Sequence, residues 1–130
     1  MAEVNAVIHR DHYRTHINTA DNSLTADEPL ASGGTGAGMG PEELLAASLS
    51  ACTSITLRMY ADRKGYDVDE IHVNVLMTRD KELNITNINR KIEITGKVTE
   101  EEKSKMMAIA NNCPVHKILS NQIIINTESR

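Results

Sequence analysis

The sequence is poor in large aromatic residues and has no basic run. None of its 130 residues is Phe or Trp and three are Tyr, while 18 acidic residues against 14 Lys and Arg give a formal net charge of −4. Proteins that bind nucleic acids use clustered basic residues to contact phosphates and aromatic rings to stack on bases. The composition therefore argues against a nucleic-acid partner.

Long apolar segments and cysteines are also scarce. The first ten residues alternate polar and apolar side chains and lack the apolar stretch of a signal peptide. The longest uncharged apolar run, Leu44–Leu57, contains several Ser and Thr and is short for a membrane span. We therefore expect a soluble, cytoplasmic protein without a membrane partner. Two cysteines are too few for a disulfide-stapled secreted fold, so any role they have should come from reactivity or metal ligation.

The pattern of the chain predicts an α+β fold in a single domain, residues 1–130. A chain of this length buries enough surface for one core. Residues 1–28 alternate in the manner of strands, with a turn at Asp21–Ser23. Residues 29–40 hold five of the seven glycines and should form a mobile loop. No Lys or Arg occurs between Gly33 and Arg58, so this loop does not match a phosphate-binding loop.

A long central helix is predicted over residues 41–65. Pro41 suits the first helical position, Glu42 and Glu43 complement the helix dipole, and Gly65 ends the helix. Because residues 43–58 are small or apolar on all sides, we expect a helix buried inside the protein or between subunits.

Residues 66–130 predict a sheet with two further helices. Strands are expected over 68–78 and 85–98, a helix from the capping box Thr99–Glu102 to about Asn111, a short helix after Pro114, and a last strand over 122–127.

Two cysteines and one histidine are the candidate reactive residues. Cys52 lies in the middle of the long helix, where the dipole does not lower a thiol pKa and a free cysteine is often a packing residue. Cys113 precedes Pro114 at a helix start, where a thiolate is favoured. His116 follows Cys113 at the spacing of a metal-binding or Cys-His hydrolase pair. Neither a second ligand pair nor an oxyanion donor accompanies it.

Two motifs carry a family resemblance. The sequence GPEELLAASLSAC at Gly40–Cys52, followed about sixty residues later by NCPVHK at Asn112–Lys117, resembles the OsmC/Ohr family of osmotically inducible and organic hydroperoxide resistance proteins. The likeness covers nearly the whole chain. It implies an intertwined homodimer with antiparallel sheets packed around a long central helix and with active sites at the subunit interface.

The resemblance also implies a function and site residues. The protein would be a thiol-dependent peroxidase that reduces hydroperoxides without a cofactor, with Cys52 as the peroxidatic thiol, Cys113 as the resolving thiol and a dithiol as the reductant. Glu42 would orient an arginine towards Cys52 of the other subunit. This agrees with the separation of about 15 Å along the helix axis between Glu42 and Cys52 of one chain.

The sequence departs from the family pattern at that arginine. The turn after the first strand, Ala20–Ser23, has no arginine; Arg14 is the nearest candidate and Arg10 the next. Thr53 stands after Cys52, where peroxidases of the family carry a bulky apolar or aromatic residue. These departures keep an alternative open, in which the protein is an OsmC-like small-ligand-binding or stress protein with weak or no peroxidase activity.

Overall fold

The computed structural model describes all 130 residues, which divide into two compact units, residues 1–45 and residues 46–130. The N-terminal unit contains a three-stranded antiparallel sheet in the order β1–β2–β3. Its strands are β1 (Asn5–Ile8), β2 (Thr15–Asn18) and β3 (Ser23–Ala26). The strands and the turn expected in residues 1–28 are therefore confirmed.

The glycine-rich segment after β3 is more ordered than its composition predicted. It contains a short 3-10 turn at Leu30–Ser32, and Met39 forms a β-bridge with Ala26. Gly38 allows this close approach, because a Cβ atom there would overlap the carbonyl oxygen of Thr25. The segment folds around the side chain of Asp27, which accepts hydrogen bonds from backbone N–H groups on both sides of it.

The predicted long helix is α1 (Pro41–Lys64), and Gly65 follows it with a φ of 71°. Its buried residues lie on one side: Leu49, Thr53, Leu57, Tyr60 and Ala61. On the opposite side Ile55 and Met59 are 55% and 65% exposed, and near the start of the helix Leu45 is 45% exposed. The single chain therefore covers only one face of the helix, and burial of the other face between subunits stays a prediction. By length and composition α1 could cross a membrane, but the core helix of a soluble protein meets the same criterion.

The C-terminal unit packs a β-hairpin and α2 against α1. Strand β4 (Asp67–Asp80) pairs antiparallel with β5 (Ile85–Lys97), and the turn between them contains Asn84 in the left-handed region. The predicted capping box is confirmed at the start of α2 (Glu100–Ile109). The core comprises Leu57, Tyr60, Ala61, Val68, Ile94, Met106 and Ala110.

The last part of the chain differs from the prediction. A 3-10 turn at Ala110–Asn112 leads into α3 (Pro114–Leu119), as expected. The strand predicted over 122–127 is wrong: the segment is not in a strand, and Ile123, Ile124 and Ile125 are 56%, 74% and 82% exposed. A strand needs a partner, and in this chain β4 and β5 pair only with each other. The predicted α+β class, with antiparallel sheets and a long helix, is confirmed.

Candidate active site

The two cysteines meet in the C-terminal unit. Cys52 lies on α1 and is partly exposed, whereas Cys113 precedes α3 and is fully buried. Both are free thiols, and they lie close enough for each to shift the pKa of the other. Residues separated by sixty positions are thus brought together as a thiol pair.

The surroundings of the two thiols shift their pKa values in opposite directions. Burial raises the pKa of Cys52, and the neighbouring Cys113 raises it further. Burial also opposes ionisation of Cys113, but the interaction with Cys52, the backbone N–H groups of His116 and Val115, and the Thr53 hydroxyl outweigh it and lower the pKa of Cys113. The buried thiol at the start of α3 is therefore the one that ionises first, which agrees with its position before Pro114.

Arg90 on β5 hydrogen-bonds residues that neighbour both cysteines in the sequence, and sequence reasoning did not single it out. Its Nη1 donates to Oγ1 of Thr53 at 3.0 Å, and its Nη2 donates to Oδ1 of Asn111 at 3.0 Å. The available signal was the alternation of β5, where Arg90 shares a face with the apolar Ile88 and Ile92. A cation on an otherwise apolar strand face is a candidate functional residue.

His116 is held by the same guanidinium. Its Nδ1 lies 3.1 Å from Nη2 of Arg90. A guanidinium only donates, so Nδ1 accepts and the ring proton is on Nε2. No group of three or more His, Cys, Asp and Glu side chains is arranged to hold a metal ion. Because Nδ1 is occupied by Arg90, it is not free to accept a proton from a cysteine, which disfavours the Cys-His hydrolase alternative.

The other predicted site residues belong to the N-terminal unit. Glu42 is exposed in the first turn of α1. Arg14 donates to Oδ2 of Asp11 at 2.8 Å in an exposed ion pair, and this pair lowers the pKa of Asp11. Arg10 is also exposed.

Arg58, which the helical spacing directs away from Cys52, has a structural role. It donates to the carbonyl oxygens of Val68 and Asp69, at 2.9 Å each. These bonds tie α1 to the start of β4.

Comparison with known proteins agrees with the resemblance carried by the two sequence motifs. A family model described as OsmC-like protein matches residues 34–128. The fold is similar to an OsmC-like protein from Mycoplasma pneumoniae, with 23% identity, a TM-score of 0.77, and coverage of 90% of this chain and 85% of that one. It is also similar to the organic hydroperoxide resistance protein OhrB of Bacillus subtilis, with 26% identity, a TM-score of 0.62, and coverage of 92% and 90%. The comparison with curated proteins gives no match.

Proposed function

The chain belongs to the family of OsmC-like proteins, and from this premise we propose that it is a thiol-dependent peroxidase that reduces organic hydroperoxides. One observation carries this proposal: the fold brings the partly exposed thiol of Cys52 and the buried thiol of Cys113 from distant parts of the chain close enough to affect each other's pKa. Two neighbouring free thiols are the requirement for oxidising one to a sulfenic acid and then closing a disulfide. The name of the similar Bacillus subtilis protein, organic hydroperoxide resistance protein, supports the same substrate class.

The contact suggests how Cys52 becomes nucleophilic. A hydroperoxide reaches Cys52 more easily than Cys113, because Cys113 is fully buried. The Cys113 thiolate takes the proton of Cys52. The Cys52 thiolate then attacks the distal peroxide oxygen, so that an S–O bond forms as the O–O bond breaks. The leaving alkoxide takes the proton from Cys113 and departs as an alcohol, which leaves Cys52 as a sulfenic acid and Cys113 again as a thiolate.

The second half of the cycle uses the buried thiol. The Cys113 thiolate attacks the sulfur of the Cys52 sulfenic acid, and hydroxide leaves and is protonated by solvent to water. A dithiol reductant then exchanges with the Cys52–Cys113 disulfide and restores both thiols, while the reductant becomes a disulfide.

Intact-mass spectrometry tests this cycle directly. We expect the reduced wild-type protein to lose about two mass units after one equivalent of cumene hydroperoxide, because a disulfide forms. A Cys113→Ser variant should gain about 16 mass units at Cys52, since its sulfenic acid has no resolving thiol. A wild-type protein that stays reduced, under conditions that oxidise a control thiol peroxidase, contradicts the peroxidase proposal.

We propose further that the protein acts as a homodimer with sites shared between subunits. The exposed apolar side chains Leu45, Ile55 and Met59 of α1, together with the unpaired apolar segment Ile123–Ile125, are surfaces that a second copy would bury. In such a dimer Glu42 of one subunit would orient an arginine towards Cys52 of the other. Arg14 remains the proposed arginine, and it would have to leave its ion pair with Asp11.

Subunit mixing tests the shared site. We expect light scattering to give twice the chain mass of 14.3 kDa, and Glu42→Gln to lower peroxide reduction by about tenfold. When Glu42→Gln and Cys52→Ser homodimers are dissociated and reassociated together, activity should rise above that of either parent. The mixed dimer then contains one site with both native residues. A stable monomer, or mixing without a rise in activity, contradicts active sites shared between subunits. Glu82→Gln, an exposed change in the β4–β5 turn, is the matched control for Glu42→Gln.

A second function is favoured by one observation. The pKa of Cys52 is raised by burial and by Cys113, whereas a peroxidatic cysteine is usually helped by a lowered pKa. A small-ligand-binding protein that keeps the fold without the reaction would have such a thiol. Absence of oxidation in the mass experiment favours this second function.

A further inference from the structure

We propose that the cavity between α1, β5 and α3 binds a small organic carboxylate through Arg90. The cavity has a volume of about 270 Å³. Arg90 supplies its charge, Thr86, His116 and Ser120 supply further polar groups, and the apolar wall consists of Leu49, Ile88 and Leu119. A cavity that combines apolar walls with a few convergent polar groups is the usual form of a small-molecule site.

The charge of Arg90 has no protein counterpart. Its three acceptors, Oγ1 of Thr53, Oδ1 of Asn111 and Nδ1 of His116, are all neutral. The ion pairs of the chain do not include it, although acidic residues are in excess over basic ones. A partly buried guanidinium without an anion is unfavourable, and a carboxylate matches its geometry best.

The contrast with Arg58 separates a binding group from a structural one. Arg58 donates with both Nη atoms to backbone carbonyls and does not line this cavity. The guanidinium of Arg90 has five N–H bonds, of which the three contacts use three, so two remain for a ligand. His116 adds one more donor, because its Nδ1 accepts from Arg90 and its Nε2 carries the proton.

The dimensions and walls limit the ligand. A volume of about 270 Å³ is just below the range of roughly 300–1,000 Å³ for pockets that hold drug-sized ligands. Because Arg90 is the single cation of the cavity, a monoanion matches its charge. The aliphatic walls favour an alkyl chain. The best match is a short aliphatic carboxylate with its charged end at Arg90 and its chain along Leu49, Ile88 and Leu119.

Binding is tested on the reduced full-length protein by calorimetric titration with hexanoate and with hexanamide, which has the same shape without the charge. We expect hexanoate to bind at least about tenfold more tightly than hexanamide. Arg90→Gln should weaken the binding of hexanoate by a similar factor and leave the affinity for hexanamide unchanged. Lys91→Gln, which removes the same charge from an exposed neighbour on β5, should bind hexanoate like the wild type.

A second variant keeps the test decisive if Arg90→Gln does not fold. Thr86 lines the cavity from an exposed position near the start of β5. Thr86→Leu should narrow the cavity with Arg90 intact and weaken hexanoate severalfold. Equal affinities for hexanoate and hexanamide, or unchanged hexanoate binding in Thr86→Leu, overturn the carboxylate site.

This site does not depend on the peroxidase proposal. The titration involves no oxidation, and neither cysteine lines the cavity. If the protein binds hexanoate but does not reduce hydroperoxide, the carboxylate site is supported and the peroxidase proposal is contradicted. Oxidation of the thiol pair with no binding of hexanoate gives the opposite result.

Discussion

Replacing Cys52 by serine is expected to reduce hydroperoxide consumption roughly a thousandfold or more, because the change removes the nucleophile that attacks the peroxide oxygen. Cys113→Ser should behave differently. It keeps Cys52, so the first equivalent of peroxide is still consumed, but more slowly, because the thiolate that takes the proton of Cys52 is gone. Disulfide formation is lost, and the sulfenic acid is open to further oxidation. Peroxide consumption in the presence of excess dithiol measures both effects.

The two variants also act as controls for each other. Both exchange a sulfur for an oxygen at the same contact, so a general loss of structure would affect them alike, whereas the proposed roles affect them differently. Thermal denaturation of each variant identifies any loss of fold. Wild-type turnover in Cys52→Ser, or loss of the first turnover only in Cys113→Ser, would contradict Cys52 as the peroxidatic residue.

The pH dependence of the thiols follows from the same contact. Since Cys113 has a lowered pKa and Cys52 a raised one, thiolate absorbance of the wild type should rise in two steps, one below and one above the ordinary thiol value. Cys113→Ser should lose the lower step, because burial still opposes ionisation of Cys52. A single step of two thiols at the ordinary value would show that the pair is not coupled.

Much of the fold follows from local sequence signals. The alternation of residues 85–98 predicted β5, and Thr99 with Glu102 predicted the capping box of α2, because each signal acts over a few residues. Cys113 before Pro114 likewise predicted a thiol at a helix start. Within the candidate site, these local signals identify positions but not partners.

The features that sequence reasoning missed depend on distant partners. Arg90 is held in place by contacts with Thr53 and His116, which are far away in the chain. The apolar segment Ile123–Ile125 has the composition of a strand, but the single chain offers it no strand partner. Alternation and composition indicate that a segment is able to form a strand, whereas the presence of a partner strand determines whether it forms one.

The glycine-rich segment after β3 gives the second large expected effect, which concerns stability. Asp27 is 2% exposed, and its carboxylate accepts hydrogen bonds from the backbone N–H groups of Tyr13 at 3.1 Å, Glu28 at 2.7 Å, Thr35 at 3.2 Å and Ala37 at 3.1 Å. The hydroxyl of Thr35 donates to it as well. This single side chain therefore accepts hydrogen bonds from Tyr13, just before β2, and from three residues of the loop that precedes α1.

Asp27→Asn should lower the melting temperature by about 10 °C, because an amide supplies only one accepting oxygen and its NH₂ group faces backbone donors. Asp21→Asn, an exposed change in the turn of the same unit, is the matched control and should leave the melting temperature within about 1 °C. Differential scanning calorimetry at neutral pH measures both. Equal melting temperatures for the two variants would show that the loop does not depend on the Asp27 carboxylate.

The same carboxylate predicts a dependence on pH. The Thr35 hydroxyl, and then the N–H groups of Ala37, Tyr13 and Glu28, hold the pKa of Asp27 far below its ordinary value against the opposing effect of burial. Below about pH 4, near the ordinary aspartate pKa, the unfolded chain binds a proton that the folded chain does not. The stability from Asp27 is therefore fully present above that pH and declines as the pH falls further. The difference in melting temperature between wild type and Asp27→Asn should narrow only below about pH 4, and a difference that stays constant down to pH 2 would mean that the carboxylate charge is not what holds the loop.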